Sequence, residues 1–322
     1  MKIIIAGHPR GGTTWFAHLL RAHPKLRLVL EPFNHTRNQS MELHGLRGEI
    51  IHRLGEWRQT DTDVYGRIRR RLGQGVLDRY AAACCEYERN LPWVPSAALT
   101  EAQRQALADM VNVFFQATQA DGFKAVWAGL KLPVFYEAVR ALDPDTRLIF
   151  LQRDFDGVLA SCHRRDFWYW FETPHHNLYA HRASLSPDCR LIADAFGDWT
   201  LPPQRLYTCW LVLNYNDIQD TERCGGLVMR YSDLTQDCLT TVERVLRHLG
   251  LEVTQQVQCA ARNTNRDASD NPYDARRDLS RLRRENEEIA SAYDGLLREA
   301  RRRTLALRRY VSRPELLEAL AP

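Results

Sequence analysis

Residues 3–16 constrain this chain more than any other stretch. Ile3-Ile4-Ile5-Ala6 reads as an apolar strand, Gly7-His8-Pro9-Arg10-Gly11-Gly12 as a glycine-rich turn, and Thr13-Thr14-Trp15-Phe16 as the start of a helix. A strand turning into a helix on glycines aims backbone N–H groups at one point and adds the positive end of the helix dipole, which makes a phosphate cradle. The spacing G-x-x-x-x-G-T-T copies the P-loop pattern G-x-x-x-x-G-K-[ST], with Thr13 in the place of the lysine. The nearest cation, Arg10, lies inside the turn. Such a loop suits an anionic 5′-phosphate group but departs from an ATP site.

The rest of the chain alternates strand and helix patterns. Thr13–Ala22 is expected as a helix and Leu26–Leu30 as a short strand ending at Glu31-Pro32. Gln103–Thr118 has helical periodicity. Arg147–Leu151 is expected as a buried strand, followed by a loop at 152–157 and a helix over 158–166. Leu227–Arg230 reads as a further strand, and Val242, Val245, Leu246 and Leu249 mark a helix over Thr235–Leu249. This order predicts an α/β fold with a P-loop-type central parallel sheet flanked by helices. Residues 34–122 and 167–205 read as helical insertions on the acceptor side, and 276–322 as a charged helical tail, all within a single domain over 1–322.

With 44% apolar and 26% charged residues, an ordinary globular core is expected. The formal charge is +4, and residues 276–313 hold 12 arginines against 6 aspartates and glutamates. The remainder is therefore slightly acidic, which argues against a nucleic-acid-binding body. The arginine-rich stretch is a solvated helix face or a lure for an anionic ligand. The 8 cysteines show neither C-x-x-C pairs nor metal-type spacing with histidine, as in a reduced, cytoplasmic protein. No run approaches the roughly 20 apolar residues of a membrane helix, so no membrane span is expected.

A second anion site is suggested by Arg153, just past the Leu148–Leu151 strand, where open α/β sheets place ligand contacts. Ser161 follows on the next helix, and an arginine and a hydroxyl converging there suit a separate phosphate. A helix-start ion pair with a capping serine is the plainer reading of the same pair. The loop's missing lysine, and the lack of a lone aspartate after an apolar strand, weaken a kinase or non-catalytic nucleotide-binding module, the alternative class.

Together these residues resemble the sulfotransferases that use 3′-phosphoadenosine 5′-phosphosulfate (PAPS). Pro9-Arg10-Gly11-Gly12-Thr13-Thr14-Trp15 is similar to their P-R-S-G-T-T-W loop, with Gly11 in place of serine. Arg153 and Ser161 match their 3′-phosphate pair, although Phe155-Asp156 departs from the family's Pro-Arg. Arg230-Tyr231-Ser232-Asp233-Leu234 resembles a later R-Y-[ED]-D-L stretch. The resemblance implies PAPS as sulfuryl donor, bound by Arg10, Gly11, Gly12, Thr13, Thr14, Trp15, Arg153, Ser161, Tyr231 and Arg262, and no metal.

In-line transfer to a hydroxyl requires a base for the acceptor proton and a cation at the leaving phosphate. Glu31 is the favoured base, because it ends the second strand beside the loop. His23-Pro24 with Glu31-Pro32-Phe33-Asn34-His35 resembles the H-P … E-P-[LF]-x-H stretch of carbohydrate sulfotransferases. His35 is the runner-up base. Arg10 is the best-placed cation; Lys131 is a second, in Lys131-Leu132-Pro133, which is similar to the family's K-D-P, and Lys124 is an alternative to it. A small-molecule or glycan acceptor is expected, with a phenol, tyrosine or lipid hydroxyl as alternatives. The aromatic run Phe167–Phe171 could stack on a sugar or adenine, or serve as core or lid. His175, His176 and His181 lack partners at ligand spacing, so no metal site is expected.

Overall fold

In the computed structural model, residues 1–36, 38, 63–165, 167–266 and 287–322 are described. Five strands form one parallel sheet: β1 (Lys2–Gly7), β2 (Leu28–Leu30), β3 (Gly122–Lys124), β4 (Thr146–Gln152) and β5 (Leu227–Arg230). Their spatial order is β2-β3-β1-β4-β5. All four neighbouring pairs are parallel, as the alternating pattern predicts.

Side-chain alternation divides the core into two layers. Ile3 and Ile5 of β1, with Ile149 and Leu151 of β4, face the helix Thr13–Arg21 and the helix Cys238–His248 through Phe16, Leu20, Val242 and Leu246. Ile4 and Ala6, with Leu148 and Phe150, face the opposite layer, built on Phe114, Phe135 and Trp210 from the helices Glu101–Thr118, Leu132–Leu142 and Pro202–Arg223. A sheet apolar on both faces must be covered on both, which fixes the three-layer arrangement.

Four local expectations are corrected. The strand expected at Leu26–Leu30 begins at Leu28. Strand β3 falls at the end of the segment read as an insertion; a three-residue strand is too short to display alternation. Gly122 is required there, since a Cβ would stand 2.2 Å from the Ile3 carbonyl oxygen across the pair. The helix expected from 158 starts at Phe155, one residue after Asp154, whose Oδ1 accepts from the Gly157 N–H at 2.7 Å. The single helix expected over Thr235–Leu249 is two, Tyr231–Gln236 and Cys238–His248, divided at Asp237. There Asp237 leaves helical backbone and caps the second helix through the Thr240 N–H.

Residues 167–205 hold the short turn Trp168–Phe171 and the helices Glu172–Ala180 and Pro187–Ala195. The tail helices are Glu287–Leu307 and Pro314–Leu320; its first part, 276–286, lies outside the described residues, as do position 37 and 39–62 of the first insertion. All eight cysteines are free.

Candidate functional site

The loop after β1 is closed by its own backbone. The Gly11 N–H donates to the His8 carbonyl at 2.8 Å, and Arg10 and Gly12 both adopt positive φ, 67° and 85°. Glycine is the residue that tolerates this at position 12, and a second constraint acts there too: a Cβ on Gly12 would meet the Tyr231 ring at 2.3 Å. The first helical bond of Thr13–Arg21 runs from the Phe16 N–H to the Gly12 carbonyl at 3.1 Å. The N–H groups of Thr13, Thr14 and Trp15 therefore precede the helical ladder, which is the arrangement that receives an anion.

Arg153 stands just beyond the end of β4 and is buried. Its Nη1 donates to the Arg10 carbonyl at 2.9 Å, and its guanidinium lies 4.4 Å from the centre of the Tyr231 ring. Trp210 fixes the backbone beneath it by donating from Nε1 to the Arg153 carbonyl at 3.1 Å. Ser161, also buried, accepts from Arg10 Nε at 2.9 Å. Trp15 meets Tyr231 edge-on at 5.5 Å. Six of the residues singled out from sequence thus form one cluster: Arg10, Gly12, Trp15, Arg153, Ser161 and Tyr231. Arg10 is on the Arg153–Ser161 side of the loop, so its side chain joins the loop to the Arg153–Ser161 pair.

Glu31 follows β2 with φ 49°, and its N–H extends the ladder to the Lys124 carbonyl at 2.7 Å. Its carboxylate forms a buried ion pair with Lys124 Nζ, and both carboxylate oxygens lie 3.4 Å from the Val126 N–H. Lys124, the alternative cation, is the last residue of β3. The adjoining Pro32 carbonyl is held by Tyr80 Oη at 2.9 Å and Asn38 Nδ2 at 2.6 Å. β3 lies between β2 and β1, so Glu31 is one strand removed from the loop instead of beside it; because the strands are parallel, the carboxylate and the loop still share the carboxyl edge, where such sheets place their chemistry.

The other predicted residues are elsewhere. Lys131 is fully buried at the start of Leu132–Leu142, and its Nζ donates to the carbonyls of Leu91 at 2.7 Å and Gly129 at 3.3 Å. Burial pulls its ammonium down to about 7, partly offset by Asp217. Fully buried, it spends its ammonium on tying two backbone segments together, which corrects its assignment as a second cation. His35 Nδ1 pairs with Tyr65 Oη at 2.7 Å. Arg262 is exposed on the helix Gln255–Arg266. In the aromatic run, Phe167 lies 5.0 Å from the Arg10 guanidinium and Phe171 stacks on His8 at 5.5 Å. Among the described residues, no group of three or more His, Cys, Asp and Glu side chains is arranged to hold a metal ion. Sequence reasoning gave no role to His8 or Trp210; for Trp210 the sequence carries no local signal, because its partner lies 57 positions away.

A profile described as the sulfotransferase family matches residues 2–255. The chain belongs to the sulfotransferase family and is a sulfotransferase enzyme. No curated protein is significantly similar in sequence. Among solved structures, it is similar to the sulfotransferase STF9 of Mycobacterium avium, at 14% identity over 84% of this chain and 68% of that one, with a TM-score of 0.46. It is also similar to the sulfotransferase domain of the Synechococcus olefin synthase, at 16% identity over 80% of this chain and 75% of that one, with a TM-score of 0.43.

Proposed function

We propose that this chain, acting as a single domain, transfers the sulfuryl group of PAPS to a hydroxyl of a carbohydrate or glycoconjugate, with Glu31 as base. The observation that carries the reading is the contact between the two predicted anion sites: Arg153 donates to the Arg10 carbonyl while Arg10 donates to Ser161. A nucleotide with both a 5′-phosphosulfate and a 3′-phosphate calls for two anion sites within one molecule's reach. The residues fit such a donor. Two guanidiniums, the Ser161 hydroxyl and the helix N-terminus are together, and the bare Cα of Gly12 leaves room for the Tyr231 ring.

The donor supplies an electrophilic sulfur and a phosphate leaving group. The Thr13–Trp15 N–H groups and Arg10 receive charge that develops on the departing phosphate. Arg153 and Ser161 hold the 3′-phosphate, and Trp15 and Tyr231 offer flat apolar faces beside them. The Glu31 carboxylate takes the acceptor's hydroxyl proton as the new oxygen–sulfur bond forms, and Lys124 fixes its orientation. Support for a sugar acceptor is the Glu31-Pro32-Phe33-Asn34-His35 stretch, whose Glu31 is directed by β2 and β3 to the sheet's carboxyl edge. Eight free cysteines, and no helix among the described residues long and apolar enough to cross a membrane, support the cytoplasm as the site of action. The test is an acceptor screen with labelled PAPS against sugars, lipids, phenols and peptides. Label entering only phenols or peptides would overturn the sugar assignment.

A further inference from the structure

His8 is the first residue after β1 and is fully buried. Its ring stacks on Phe171, with centroids 5.5 Å apart and planes 9° from parallel, and it meets Trp93 at 5.2 Å. Its Nδ1 lies 2.6 Å from the Pro9 carbonyl oxygen. A carbonyl can only accept, so Nδ1 carries the proton and Nε2 the lone pair. Nε2 is buried and has no hydrogen-bond partner among the described residues. A ring serving only to fill this aromatic space would do better as phenylalanine, because burying an unmatched nitrogen costs free energy. The histidine is therefore retained for the bond at Nδ1. Burial also lowers its pKa to about 3, so the ring remains neutral and keeps this one donor.

We propose that His8 is the positioning residue of the phosphate loop, its Nδ1–H clamping the Pro9 carbonyl so that Arg10 is held in its left-handed conformation. The inference rests on reading the loop as the PAPS site. Two bonds from one residue bracket the turn: the side chain holds the Pro9 carbonyl, and the main-chain carbonyl holds the Gly11 N–H at 2.8 Å. Between them Arg10 is kept at φ 67°, which a non-glycine residue adopts only under constraint. That conformation presents the Arg10 carbonyl to Arg153 and its Nε to Ser161. Releasing the clamp lets Arg10 relax to an ordinary φ and separates all three groups, so His8 acts on the nucleotide through Arg10 without touching it.

The test compares His8→Asn with His8→Phe, using calorimetric titration with 3′,5′-bisphosphoadenosine and thermal melting. Asparagine keeps an N–H donor near the Nδ1 position but loses the ring; phenylalanine keeps the ring and loses the donor. The clamp predicts a crossover. His8→Phe melts close to wild type but binds the nucleotide about tenfold more weakly, whereas His8→Asn melts lower yet recovers most of the affinity. If His8→Phe matches or exceeds His8→Asn in affinity, the clamp is wrong and the ring is packing. Imidazole nitrogen NMR of the wild-type protein gives a readout that needs no nucleotide: the Nδ1–H tautomer is expected, and an Nε2–H tautomer overturns the proposal. Failure of the wild type to bind the nucleotide would instead remove the PAPS reading and leave the tautomer to decide the clamp.

Discussion

Glu31 and Lys124, from adjacent parallel strands, form a buried ion pair at the carboxyl edge of the sheet. Desolvating two charges costs much of what their attraction returns, so such a pair is a weak device for stability alone. It does hold a carboxylate at a defined place, with the Val126 N–H beside it. That is what a base needs when the acceptor must reach one oxygen in one orientation.

Glu31→Gln tests the base. The substitution keeps the shape and a hydrogen-bonding oxygen but cannot take a proton. Turnover should fall by about 10²- to 10⁴-fold, with affinity for 3′,5′-bisphosphoadenosine within a few-fold of wild type in calorimetry. Unchanged turnover would move the role elsewhere, with His35 next.

Lys124→Met tests the pair. It leaves the Glu31 carboxylate buried without its counter-ion, and urea unfolding should show a loss of about 3–5 kcal/mol. The double variant Glu31→Gln/Lys124→Met removes both charges and should regain most of that loss. A double variant as unstable as the single one would show that Lys124 matters for packing instead.

Gly12→Ala tests the loop. The added methyl meets the Tyr231 ring at 2.3 Å and sits on backbone at φ 85°. Nucleotide binding should be lost in titrations. Trimming the ring with Tyr231→Ala should restore little of it, because the backbone strain remains.

The His8 imidazole makes stability depend on acidity. Its folded pKa is lowered to about 3, whereas in the unfolded chain it titrates near 6.5. Between those values the unfolded state binds the extra proton, so acidification favours unfolding and stability rises with pH through this window. Urea midpoints between pH 4 and 7 should therefore fall more steeply on acidification for wild type than for His8→Phe. Parallel curves would contradict the assignment.

The loop, Arg153, Ser161 and Tyr231 were each legible as candidates because a strand end, a turn and a helix start leave local spacings in the chain, whereas their meeting across 143 and 151 positions was not. The ion pair was not. Its partners lie 93 positions apart, and only the insertion of β3 between β2 and β1 brings them together. With three residues, β3 has no periodicity to read, so Lys124 could not be assigned to a strand. Lys131 misled for the converse reason: a motif-like neighbourhood says nothing about the Leu91 and Gly129 carbonyls that occupy its ammonium. That Arg10 points to Ser161 follows from a positive φ that sequence does not announce.

The most direct measurement is calorimetric titration of 3′,5′-bisphosphoadenosine and adenosine 5′-phosphate, without magnesium, into wild type and Arg153→Ala. Charge-assisted bonds to a phosphate contribute about 1.5–3 kcal/mol each, and Arg153 stands where the 3′-phosphate is assigned. Saturable binding is predicted for wild type, preferring the 3′-phosphorylated nucleotide at least tenfold, with the preference abolished in Arg153→Ala. Equal affinity of wild type for both nucleotides, or binding only as a magnesium complex of ATP, would contradict the account.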